Sequence, residues 1–105
     1  MVHQVESVEE FKKSVQAGGV VVVDFFATWC GPCVRFAPRF DALSQSYPGA
    51  VFLKVDVDKV PELQNQYGIT GIPAFKVFKD GSVVAECVGA NEELLKASIE
   101  KALAL

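Results

Sequence analysis

Val20-Val21-Val22-Val23-Asp24-Phe25-Phe26-Ala27-Thr28-Trp29-Cys30-Gly31-Pro32-Cys33 decides how the rest of this chain is read. From Val20 to Ala27 every residue but Asp24 is apolar, whichever side of the backbone it falls on. That predicts a strand buried on both faces, the pattern of a parallel sheet covered by helices. From Cys33 to Tyr47 the spacing turns helical, with Phe36, Phe40, Leu43 and Tyr47 on one stripe. Pro38 lies inside that stripe and is expected to kink the helix. The turn after Ala27 falls at the carboxyl end of a strand, which is where open α/β sheets keep their working sites.

Working outward, Ser7-Val8-Glu9-Glu10 has the spacing of a capping box, and Val8, Phe11 and Val15 line one face of a first helix that ends at Gly18-Gly19. Pro48-Gly49 breaks the chain before a strand from Val51 to Val57. There Val51, Leu53, Val55 and Val57 point one way, and Phe52, Lys54 and Asp56 the other. A short helix is expected from about Val60 to Tyr67, with Pro61 in its first turn and Gly68 at its exit. Asp80-Gly81 joins Ala74–Lys79 to Ser82–Val88 as a two-residue hairpin. Asn91 caps a last helix, with Glu92 and Glu93 in its first turn and Leu95, Ile99 and Leu103 facing inward. With an opening strand that includes His3, the order is strand, helix, strand, helix, strand, helix, hairpin, helix. The class is α/β: a central mixed five-stranded sheet flanked by four helices, with right-handed crossovers in the early βαβ units.

The 105 residues are expected to form one domain spanning 1–105. A chain of this size buries roughly two-thirds of its unfolded surface, enough for a core without disulfide staples. Half the residues are apolar, and the net charge of −3, with no basic run, argues against nucleic acid or an anionic membrane as partner. The longest apolar runs are too short to span a bilayer. Met1-Val2-His3-Gln4-Val5-Glu6 does not read as a secretory signal. Three cysteines are too few for a secreted disulfide scaffold, so a reducing, cytoplasmic compartment is expected.

Cys30 and Cys33, two residues apart, can cycle between dithiol and disulfide. Cys30 falls at the start of the second helix, where free N–H groups and the dipole favour a thiolate, and the thiolate is the nucleophile. Gly31 leaves room for a substrate backbone, and Pro32 stiffens the turn. Cys30 would attack a substrate disulfide, and Cys33, expected to be the more buried, would then attack Cys30 and release the reduced substrate. The competing reading is a zinc site, but only Cys87 and His3 remain as soft or imidazole donors, and they lie in the last and first strands. No metal is expected. Nothing resembles a glycine-rich phosphate loop after a strand, so no nucleotide or other cofactor is called for.

Trp29-Cys30-Gly31-Pro32-Cys33, after Val22-Val23-Asp24-Phe25-Phe26-Ala27-Thr28, resembles the active-site segment of the thioredoxin family. The likeness continues through Val55-Asp56-Val57-Asp58, Tyr67-Gly68-Ile69, Gly71-Ile72-Pro73, Phe78-Lys79-Asp80-Gly81 and Val88-Gly89-Ala90. It implies the thioredoxin fold and a protein-disulfide reductase re-reduced by an NADPH-dependent thioredoxin reductase. By the same resemblance the clients are disulfide-containing proteins such as peroxiredoxins and ribonucleotide reductase. The chain is expected to act as a monomer.

A carboxylate amid Val20–Ala27 must be buried, which raises its pKa, and perturbed groups gather at functional sites. Asp24 is therefore read against a structural aspartate satisfied by local hydrogen bonds, and the resemblance implies a general acid/base for the Cys33 thiol. Lys54 reads equally as an exposed strand lysine or as a residue tuning Asp24. The resemblance also implies a cis bond before Pro73, contrary to base rates, in a loop that offers Ile72 backbone to an extended substrate. Trp29, Gly71, Ile72, Pro73, Gly89 and Ala90 would form a shallow apolar binding surface around Cys30. Cys87 reads as a small buried hydrophobe or as a regulatory thiol. His3 has no partner in the motif. One departure stands out: many thioredoxins carry lysine directly after the second cysteine, where this chain has Val34 and then Arg35. The same residues could serve a binding module with incidental redox chemistry, or an oxidase or isomerase.

Overall fold

The structure is a computed structural model describing residues 1–105. Its elements are β1 (Val2–Gln4), α1 (Val8–Gln16), β2 (Val20–Phe26), α2 (Gly31–Ser46), β3 (Ala50–Asp56), α3 (Pro61–Gln66), β4 (Ala74–Lys79), β5 (Ser82–Val88) and α4 (Glu92–Leu103). The strands form one sheet in the order β1-β3-β2-β4-β5. β1, β3 and β2 run parallel, while β4 is antiparallel to β2 and β5 to β4. The expected mixed sheet with four helices is present.

β2 lies at the centre and is buried from Val20 to Phe25, as its two-sided apolar pattern requires. Val21, Val23 and Phe25 pack with Phe11, Leu53, Leu63 and Phe78 on the α1 and α3 side. Val20 and Val22 pack with Phe36, Phe40, Phe52, Phe75, Leu95 and Ile99 on the α2 and α4 side. Alternation along β2 puts Asp24 on this second side, beneath α2.

Ser7 caps α1 as expected, its Oγ accepting from the Glu10 N–H at 3.1 Å. The reciprocal bond is displaced by one residue: Glu10 accepts from the backbone N–H of Glu6 at 2.7 Å and also meets His3 Nε2. Asn91 caps α4 through the Leu94 N–H. The hairpin turn has positive φ at both Asp80 (51°) and Gly81 (88°), matching the twist of the strands it joins.

Helix α2 begins at Gly31 with Cys30 at its start, as expected, and the Cys30 side chain caps it. Two expectations are corrected. Leu103, expected inward, is 39% exposed, and Ala102 fills the core position in the last turn of α4. Val51, expected to share its face with buried Leu53, Val55 and Val57, is half exposed at the beginning of β3, one residue before the pairing with β1 starts at Phe52.

Candidate active site

β2 delivers the chain to the top of the sheet, and α2 takes it away again. Between them Cys30 is the N-cap of α2: its backbone is extended and its Sγ accepts from the Cys33 N–H at 3.2 Å. This sulfur therefore occupies the position where helix N–H groups lack internal partners and negative charge is stabilised. Cys30 and Cys33 are joined in a disulfide, with Cα atoms 5.2 Å apart. Both are buried, Cys33 slightly the more, at 3% against 5% exposure.

The Ile72–Pro73 peptide bond is cis, as the resemblance implied. Its loop faces the disulfide: the Ile72 carbonyl oxygen lies 3.8 Å from Cys30 Sγ. That sulfur carries no proton in the disulfide, so the approach is a van der Waals contact and not a hydrogen bond. The Gly89 N–H donates to Pro73 O at 2.8 Å, which locks the Gly89–Ala90 turn against the same loop. The N–H and C=O of Ile72 take no part in the backbone hydrogen bonding. A side chain on Gly71 would stand 3.1 Å from Val88 Cγ1, so only glycine fits without displacing Val88.

Trp29 is 72% exposed beside Cys30, and Val34 and Val88 (71% exposed) extend the apolar surface across the disulfide. The surface gathers the residues expected of it, and it also recruits Asp58, which the sequence reading passed over. Asp58 Oδ2 accepts from Trp29 Nε1 at 2.8 Å and ties the indole to the segment after β3. Asp58 is itself fixed by donating its N–H to the buried Asp56 carboxylate at 2.9 Å. The Val55-Asp56-Val57-Asp58 run carried the only sequence signal for this link.

Asp24 is 4% exposed, and no protein group donates to its Oδ1. The local hydrogen bonds of a purely structural aspartate are missing at that atom. A cavity of about 210 Å³ lies between Asp24 and Cys33, lined also by Ala27, Thr28, Val34, Ala37 and Lys54. It is roomy enough to admit water between carboxyl and sulfur. Burial pushes the Asp24 pKa up to about 7 while the Lys54 ammonium pulls it down. Lys54 is paired with Asp24 in the β2–β3 register, and its Nζ lies 5.6 Å from the Phe26 ring centroid. It is half-buried, so the reading of a free surface lysine does not hold.

Cys87 and His3 stand apart. Cys87 is buried under α4, its Sγ 3.8 Å from Ser98 Oγ. His3 is at the opposite end of the sheet, on Glu10. No helix is long and apolar enough to cross a membrane.

A family model described as thioredoxin matches residues 2–101. Thioredoxin-1 of Schizosaccharomyces pombe is 48% identical over 100 residues, covering 95% of this chain and 97% of that protein. The solved structure of Plasmodium falciparum thioredoxin superposes with a TM-score of 0.91 at 47% identity, covering 94% of this chain and 97% of that one. A chain from a structural study of thiol resolution in yeast mitochondrial 1-Cys peroxiredoxin through the glutathione and thioredoxin systems also matches. Its TM-score is 0.91 at 33% identity, with 95% of this chain and 94% of that one covered.

Proposed function

This chain belongs to the thioredoxin family and is a thiol–disulfide oxidoreductase, and from that premise we propose that it runs in the reducing direction on disulfides of other proteins. The observation that carries the reading is a disulfide whose first sulfur caps a helix N-terminus at an exposed apolar surface.

In the reduced state the helix N-terminus favours the Cys30 thiolate. The client lays an extended segment along Ile72, whose free N–H and C=O pair with it as in strand addition. Trp29, Pro32, Gly31, Gly71, Pro73, Gly89 and Ala90 frame that segment. Cys30 Sγ attacks one client sulfur, the client S–S bond breaks, and one client thiolate leaves and takes up a proton. Asp24 then accepts the Cys33 proton through the cavity, a transfer that a carboxyl of pKa about 7 makes in either direction near neutrality. Cys33 thiolate attacks Cys30 Sγ, expels the second client thiolate and closes the ring. Two electrons have passed from the dithiol to the client.

The same reading makes residues 1–105 one working domain and a monomer in the cytoplasm. An NADPH-dependent thioredoxin reductase returns the electrons. Peroxiredoxins and ribonucleotide reductase are clients in this reading, and the peroxiredoxin study among the structural relatives supports the first. Lys54 tunes Asp24.

The test couples NADPH oxidation by a thioredoxin reductase to reduction of insulin. The wild-type protein is expected to sustain turnover and Cys30→Ser to abolish it. Cys33→Ser should stall as a mixed disulfide with insulin. Turnover that survives Cys30→Ser overturns the assignment.

A further inference from the structure

We infer that Arg35 is a specificity-determining residue at the rim of the redox site, whose guanidinium receives a carboxylate carried beside the disulfide of an acidic client. The inference rests on the reading of Cys30 as the attacking sulfur. Arg35 is one helical turn after Gly31 on α2, and side chains on a helix lean toward its N-terminus. Its guanidinium accordingly folds back over the turn between the two cysteines, so that a methyl group built on Gly31 would stand 3.0 Å from Nη1.

Nothing in the chain uses that charge. The three ion pairs of the structure employ His3, Arg39 and Lys76, and Arg35 joins none of them. Across the disulfide, the Asp58 carboxylate is engaged by Trp29, and Lys54 stands at the cavity over Phe26. The exposed binding surface around Cys30 thus has one unpaired cation on its α2 side, in a molecule of net charge −3. Val34 beside it is exposed and apolar. A guanidinium offers a planar fork of donors that matches a carboxylate in two parallel hydrogen bonds, which an ammonium cannot do. The Cys30 sulfur, by contrast, is turned toward Cys33 N–H and the Ile72 carbonyl. Neither contact of that sulfur uses the guanidinium, which stays free to receive a group of the incoming molecule.

Stopped-flow oxidation of the reduced protein by three small disulfides tests this: dithiodipropionate (anionic), hydroxyethyl disulfide (neutral) and cystamine (cationic). Each probe gains two electrons and two protons and is released as two thiols, while the protein becomes the Cys30–Cys33 disulfide. In Arg35→Gln the ratio of anionic to neutral rate constants is expected to fall about two- to fivefold, the range for one exposed charge pair. That difference should vanish in about 1 M salt, where screening is short-ranged. Arg35→Lys should recover part of the ratio. An unchanged ratio in Arg35→Gln overturns the inference. So does an equal fall for all three probes with a raised Cys30 thiol pKa, because the guanidinium would then act on the sulfur. Failure of the wild-type protein to reduce any probe would instead defeat the reading of Cys30 as the attacking sulfur of a disulfide reductase.

Discussion

A carboxyl enclosed between β2 and α2 gives up its hydration, and Asp24 responds by keeping its proton to about pH 7. In the unfolded chain the same group ionises near pH 3.9. Between those values the folded state binds a proton that the unfolded state has lost, so stability from this group falls as pH rises through the window. Above it the cost is on the order of 4 kcal/mol, lessened by whatever water reaches the cavity. Asp24→Asn is therefore expected to stabilise the oxidised protein at pH 8 by ~2–4 kcal/mol and by little at pH 4, read from urea midpoints at the two pH values. At neutral pH the same variant should resolve its mixed disulfide more slowly, since Cys33 loses its proton acceptor. This residue was legible in the sequence because a lone charge inside an apolar strand has few explanations. Asp58 was not, because its bond to Trp29 joins positions that only the β2–β3 pairing brings together.

At the scale of elements, the signals that act over a few residues read most clearly. Ser7, Asn91 and Asp80-Gly81 each behave as their local chemistry dictates. Replacing Ser7 with alanine leaves the Glu10 N–H without its acceptor and is expected to cost about 1 kcal/mol in thermal or urea unfolding. A smaller loss would mean that Glu10, through Glu6 and His3, holds the helix start by itself. What local pattern misjudged were ends, where Val51 opens β3 and Leu103 closes α4. The start of α2 fell at Cys30 as read, although a cysteine is not counted among cap formers. At the end of α4 the stripe drifted round the helix, so Ala102 and not Leu103 met the core.

Over the whole molecule, the sheet is shared by two apolar layers, and no layer can be lost without exposing the other side of β2. Phe78→Ala on the α1 side and Phe40→Ala on the α2 side are each expected to cost ~3–5 kcal/mol. Both should shift one common transition, with far-ultraviolet dichroism and Trp29 fluorescence changing together. Separate transitions for the two probes would contradict a single cooperative unit. The class of sheet was readable from the strand patterns, but its order was not: β1 beside β3 and β4 beside β2 are pairings between distant segments. Nor could the sequence reveal the braces that tie α2 to α4. Arg39 grips Glu92 with two hydrogen bonds of 2.8 Å, and the Tyr47 hydroxyl donates to Glu100. Those braces clamp the shaft whose tip carries the reactive sulfur. With the sulfur capping α2 and lying against the Ile72 loop, adjustment on docking falls to the other party. Disulfides in frayed or loosely folded stretches will be served first, and those sealed inside rigid frameworks will be left intact.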